Sequence, residues 1–74
     1  MAIACLLASV DHKESSQILK ALRGMPEVID AFVVFGQYDL VVFLEADDYA
    51  ELAAVSAEIN KINGIRNTET LVAG

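Results

Sequence analysis

The stretch Val28-Ile29-Asp30-Ala31-Phe32-Val33-Val34-Phe35-Gly36-Gln37-Tyr38-Asp39-Leu40-Val41-Val42-Phe43-Leu44 holds two apolar runs separated only by Gly36 and Gln37. β-Branched and aromatic side chains suit a pleated, half-buried surface, and a short glycine-containing break between two such runs marks a β-hairpin. The spacing predicts strands over Val28–Phe35 and Tyr38–Leu44 joined at Gly36-Gln37. Upstream, Ile18, Leu19 and Leu22 stand at helical spacing behind Asp11, with Glu14 three residues on as an acidic relative of a capping box, and Gly24 and Pro26 stop that helix. Ahead of it, Ala2 to Val10 is a short apolar run that suits a strand buried on both faces. Downstream, Asp48 with Glu51 repeats the capping signal, and Leu52, Val55, Ile59 and Ile62 form an apolar stripe ending at Gly64. Ile65 to Ala73 then reads as a last strand with Thr68, Glu69 and Thr70 at its middle.

The order is βαββαβ. Right-handed crossovers fold such a pattern into an α+β, ferredoxin-like domain: a four-stranded antiparallel sheet with two helices on one face. A faint internal repeat accompanies it, since Pro26-Glu27-Val28 through Gly36 resembles Asn63-Gly64-Ile65 through Gly74. A single domain over residues 1–74 is expected, with no linker.

Composition then says what such a sheet must do. A chain of 74 residues buries only about 60% of the surface that its unfolded form exposes. Yet 55% of the residues are hydrophobic and the mean hydropathy is +0.48. In the second strand Val28, Phe32 and Val34 oppose Ile29, Ala31, Val33 and Phe35; in the first, Ile3, Cys5 and Leu7 oppose Ala4, Leu6 and Val10; in the third, Leu40, Val42 and Leu44 oppose Val41 and Phe43. Both faces are apolar and two helices cover only one, so a second sheet is expected to cover the other, giving a symmetric dimer of the dimeric α+β barrel kind. No run reaches the roughly 18 apolar residues of a membrane span, and Ala2–Val10 lacks the basic residues that precede a signal-peptide core. A cytoplasmic protein is expected. The single Cys5 excludes an intramolecular disulfide and reads as a small buried hydrophobe. Five Lys and Arg against eleven Asp and Glu leave a formal charge of -6, which repels phosphate backbones, so no direct nucleic-acid binding is expected.

Candidate site residues gather at the hairpin turn, where Gly36, Gln37, Tyr38 and Asp39 put a flexible glycine, an aromatic and a carboxylate beside apolar strands. Aspartate is disfavoured inside strands, so Asp39 needs a reason: it either accepts from a nearby backbone N–H or takes a ligand ammonium while backbone donors near Gly36 take a carboxylate. Thr68 and Thr70 share a strand face, through plain β propensity or to finish such a polar pocket. Glu69 and Asp30 face solvent or pair with Arg66 or another cation. His12 with Asp11 and Glu14 suggests a metal or acid–base site on paper, but their position at a helix start fits capping better. No nucleophile–base set, metal-ligand cluster or phosphate-cradling loop is present, and no cofactor is expected.

Together, Pro26-Glu27-Val28, Gly36-Gln37-Tyr38-Asp39-Leu40-Val41, Gly64-Ile65 and Thr68-Glu69-Thr70 resemble the regulatory domain of Lrp/AsnC transcription factors over nearly the whole chain. The resemblance implies a ferredoxin-like domain that dimerises through its sheet, assembles further into octamers or decamers, and binds an amino acid or similar small effector between dimers. It assigns Gly36, Tyr38, Asp39, Thr68 and Thr70 to the lining or support of that pocket, with Gln37 at the variable position. Full-length members begin with a helix-turn-helix domain, whereas Met1 here leads directly into the first regulatory strand. The expectation is a stand-alone regulatory domain that is not an enzyme, with two ways of signalling open: it buffers or senses an amino acid, or it exchanges into hetero-oligomers with full-length regulators and alters their assembly. Two other functions share the fold: a small dimeric α+β barrel enzyme using His12, Tyr38 or Asp39, and a ligand-free assembly module.

Overall fold

Ala2–Val10 forms β1, a central strand of the sheet in the computed structural model, which describes residues 1–73. Its alternation corrects the expectation of a strand buried on both faces: Ala2, Ala4, Leu6, Ala8 and Val10 are buried under the helices, while on the other face Ile3 is exposed and Cys5, Leu7 and Ser9 are half-buried, since the helices cover one face only. A short 3-10 turn (His12–Glu14) and α1 (Ser15–Arg23) follow, then β2 (Val28–Val33), β3 (Leu40–Ala46), α2 (Tyr49–Asn60) and β4 (Ile65–Val72). The sheet order is β2-β3-β1-β4 with every pairing antiparallel, the βαββαβ ferredoxin-like arrangement expected of the sequence.

The core lies between the sheet and the helices, where Leu6, Leu40, Val42 and Leu44 meet Ile18 and Leu22 of α1 and Leu52, Val55 and Ile59 of α2. In the register of β1 with β3, Ala8 faces Leu40 and Ala4 faces Leu44, so small residues of one strand sit beside large ones of the next and leave room for the helices. Among the described residues no polar or charged residue is buried as a whole, although the Oγ of half-buried Ser56 is shielded from water.

The connections that open the two repeated stretches match in structure, whereas Gly74, which ends the second stretch, lies outside the described residues. Both helix-to-strand connections are 37 residues apart, from Arg23 to Val28 and from Asn60 to Ile65. Their hydrogen bonds repeat too: Gly24, Met25 and Val28 N–H donate to Ala21, Leu22 and Met25, as Lys61, Ile62 and Ile65 donate to Glu58, Ile59 and Ile62. In the second connection Gly64 has φ +99, and a Cβ there would lie 2.6 Å from Glu14 Cβ. Glycine is forced at this position by both conformation and space.

Several expectations are corrected. The hairpin is not joined at Gly36-Gln37 alone: β2 ends at Val33 and β3 starts at Leu40, with Val34 N–H donating to Asp39 C=O across the connection. The register of β2 shifts between Val28 and Asp30, a bulge at Ile29. It brings half-buried Val28 onto the core side together with Ala31, not opposite to it. The second helix stops at Asn60, short of Gly64, and Asp11 caps the 3-10 turn through Lys13 N–H before α1 begins. Asp48 caps α2 through Glu51 N–H, as expected.

The face of the sheet away from the helices carries Ile3, Cys5, Leu7, Phe32, Val41, Phe43 and Leu71. Ile3 is 44% exposed, Leu71 51% exposed, and Phe32 stacks at a tilt on Phe43 with ring centroids 5.9 Å apart. Cys5 is half-buried on this face and not in the helix-side core. At the β2 edge, Arg23 Nη2 donates to Ala31 C=O at 3.0 Å and Ala31 N–H donates to Asp30 Oδ1 at 2.8 Å, which blocks both outward backbone groups of that residue. Among the described residues no helix is long and apolar enough to cross a membrane.

Candidate functional site

Three strands bring their ends together at the hairpin. Asp39 sits just before β3, its N–H donates to Ala8 C=O at 2.9 Å, and its Oδ2 accepts from Val10 N–H at 3.0 Å. The β1–β4 register shifts between Ser9 and Val10, so the Val10 N–H leaves the regular ladder and the carboxylate takes it up. Of the two readings of Asp39, the backbone-acceptor role is thus occupied, and it uses one oxygen.

Tyr38 turns to the open face, where its Oη donates to Glu69 Oε1 at 2.6 Å. This hydrogen bond to the carboxylate, with a smaller desolvation effect and the Glu69 charge, holds the Tyr38 phenol above its ordinary value of 10.0. Gly36 has φ +139 with open space around it, and Gly36 and Gln37 are exposed at the tip. Phe35 is 97% exposed beside them. Sequence reading placed Phe35 inside an apolar strand; an aromatic next to a loop glycine was the signal that it stands in solvent.

Thr68 lies opposite Ala8 and Thr70 opposite Leu6, both on the helix side of β4. Thr68 Oγ1 donates to Asn60 Oδ1 at 2.7 Å, and Thr70 lines a groove of about 400 Å³ between α2 and β4. The two threonines therefore share a face, but Tyr38 meets Glu69 on the opposite one. Asp39 and Thr68 flank the same β1 residue, Ala8, from its two sides. Within one chain the six residues share one end of the sheet without closing on a common cavity. Glu69 pairs with Tyr38 and Asp30 with its neighbour's N–H, whereas Arg66 lies 3.7 Å from Asp11. His12 is exposed at the head of the 3-10 turn, and among the described residues no group of three His, Cys, Asp or Glu side chains is placed to hold a metal ion.

The α2 residues of the groove were not singled out in the sequence. Asn60 and Ser56 both line it, and Ser56 Oγ is buried without a hydrogen-bond partner. A contrast between the two repeated halves, Leu19 in one and Ser56 in the other, was the available signal.

Comparison with known proteins places this geometry. The family model of the Lrp/AsnC ligand binding domain matches residues 3–73. The regulatory protein AsnC of Haemophilus influenzae is 28% identical over 96% of this chain and 49% of its own length. The chain spans about half the length of the curated relatives that it matches. The solved structure of TTHA0845 from Thermus thermophilus is 31% identical with a TM-score of 0.94, covering 100% of this chain and 94% of that one. The transcriptional regulator NMB0573 of Neisseria meningitidis, solved as an L-Met complex, shares the fold at 16% identity and a TM-score of 0.87, over 99% of this chain and 49% of its own.

Proposed function

The chain belongs to the Lrp/AsnC ligand binding domain family, and from that membership we infer that it is an amino-acid-sensing regulatory domain and not an enzyme. Its effector is held between copies of the domain, with Gly36, Gln37, Tyr38 and Asp39 contributed by the hairpin and Thr68 and Thr70 by β4. The observation that carries this reading is the Tyr38–Glu69 hydrogen bond. It ties the hairpin to β4, the strand that bears both threonines on its other face. Asp39 keeps Oδ1 for a ligand ammonium, since the hydrogen bonds among the described residues engage only Oδ2. An L-Met complex of a regulator with the same fold makes an amino acid the ligand class of choice.

Assembly follows from the open face. A contiguous apolar surface of Ile3, Leu7, Phe32, Val41, Phe43 and Leu71 favours face-to-face packing of two sheets into a dimer. Exposed Phe35 at the hairpin tip is suited to contacts that extend dimers into octamers or decamers. The same surface would accept a full-length relative, so a cytoplasmic domain with a charge of -6 acts on genes through its partners instead of through its own contact with DNA.

A thermal-shift screen of the twenty amino acids tests this, because a ligand bound only by the native state raises its melting temperature by mass action. At least one amino acid is expected to raise it, and Asp39→Ala to erase the shift while light scattering shows the same oligomer. Flat melts across the whole panel would overturn the sensor reading.

A further inference from the structure

The groove between α2 and β4 opens where the first half of the molecule carries a larger side chain. At the 37-residue displacement that relates α1 and β2 to α2 and β4, Leu19 corresponds to Ser56. Leu19 is partly buried and packs against the core. Ser56 is shorter, and a groove of about 400 Å³ runs along α2 from Tyr49 and Leu52 past Ser56 to Asn60, walled on the other side by Thr70 and Val72 of the strand. That volume falls in the range of about 300–1,000 Å³ typical of small-molecule sites.

The chemistry of the groove narrows its occupant. Its walls are mostly apolar, with Leu52 and the Tyr49 ring beside the small alanines, and its polar groups are the Ser56, Thr70 and Tyr49 hydroxyls and the Asn60 amide, with no carboxylate, ammonium or guanidinium among them. No lining side chain carries a charge at neutral pH, so a charged group brought into it would be desolvated without a counter-ion. The Ser56 Oγ is shielded from water and has no hydrogen-bond partner among the described residues. A buried hydroxyl left unpaired is unfavourable, and a turn about χ1 toward a ligand polar atom would satisfy it. Thr68 already holds Asn60 Oδ1, which fixes the amide with its N–H₂ free to donate.

We propose that this groove receives the uncharged side chain of the sensed amino acid, with Ser56, Asn60 and Thr70 setting its specificity. The proposal rests on the sensor reading above and adds what that reading leaves open, the class of amino acid. Thr70 joins the two, since it belongs to the motif and lines the groove.

Isothermal titration calorimetry with each of the twenty amino acids, on wild type and on Ser56→Leu and Ala57→Leu, tests it. Both variants fill the groove, one by restoring the residue of the first half and the other from an exposed helix position that tolerates leucine without loss of folding. The best wild-type ligands are expected to have uncharged side chains, and each variant to weaken them at least tenfold with the oligomer unchanged by light scattering. A wild-type ranking led by lysine, arginine, aspartate or glutamate overturns the groove and leaves the sensor reading standing, as does a folded Ala57→Leu protein with unchanged affinities. Loss of the oligomer together with the ligand assigns the groove to a second copy of the chain and also overturns the proposal. Titrations without heat for any amino acid on wild type sink both.

Discussion

The α1–β2 half and the α2–β4 half follow the same path, helix end to strand start, at a displacement of 37 residues, yet they differ at three corresponding positions. Leu19 packs against the core where Ser56 lines a groove. The guanidinium of Arg23 reaches the backbone of β2, whereas the Asn60 amide takes a hydroxyl hydrogen bond from Thr68. Glu27 sits at an ordinary negative φ, whereas Gly64 needs a positive one. In the first half both outward backbone groups of Ala31 at the edge are taken up and Leu19 packs against the core. The second is open along the helix and strand that carry the threonines. A duplicated frame thus carries a packed leucine in one copy and, in the other, a groove with one unpaired hydroxyl.

The connections should separate the halves most sharply. Gly64→Ala must place a Cβ against Glu14 at φ +99, which costs about 2–4 kcal/mol through backbone strain and overpacking. For a domain of this size that is a fall of about 10–25 °C in Tm, read at fixed protein concentration because assembly also moves Tm. Glu27→Gly at the corresponding position is expected to cost only about 0.5–1 kcal/mol, from unfolded-state entropy. Equal losses would show that the second connection relaxes as freely as the first.

A smaller effect is expected where the helices meet their strands. Leu19→Ser opens the first half and removes a half-buried aliphatic side chain, at about 1–2 kcal/mol. The reverse exchange, Ser56→Leu, removes an unpaired hydroxyl and adds apolar contact, so stability changes by less than about 1 kcal/mol or rises. Urea unfolding of the two variants measures both. If Ser56→Leu is the more damaging, the groove is a packed interface in the folded state and the comparison fails.

How far this asymmetry could be read beforehand depends on the residue. β1 was legible to the residue, because Ala2–Val10 is bounded by a polar cap at Asp11. α2 was overrun to Gly64 because Ile62 continues the apolar stripe beyond Asn60, where the helix has already ended. The bulge at Ile29 left no trace, since a strand apolar on both faces has no alternation for a slip to break. The start of β3 was missed at Tyr38 and Asp39 because both serve long-range partners: Glu69 lies 31 residues on and Val10 lies 29 back. Local pattern encodes neither contact. For the groove the opposite holds, as Leu19 and Ser56 stood in register in the sequence, and only the assumption that an apolar stripe exists to fill a core hid the difference.

The smallest effect tests the link between the halves, the Tyr38 Oη–Glu69 Oε1 hydrogen bond at 2.6 Å that ties the hairpin after β2 to β4. The phenol is held above 10.0 in the folded chain, first by this bond and then by desolvation and the Glu69 charge. A raised folded value means that the native state keeps its proton longer than the unfolded one. The contribution is therefore complete below the unfolded value of about 10 and disappears as pH climbs through the higher folded value. Melts of wild type, Tyr38→Phe and Glu69→Gln between about pH 8 and about pH 12 should show wild type losing Tm more steeply above about pH 10 than Tyr38→Phe. Glu69→Gln should fall between them, because the amide oxygen still accepts the hydrogen bond but the repulsion between phenolate and carboxylate is gone. Parallel curves for all three would mean that the hairpin and β4 are coupled only through Ala8, which receives the Asp39 N–H on one side and pairs with Thr68 on the other. The two halves would then share a sheet but no side-chain link at the site.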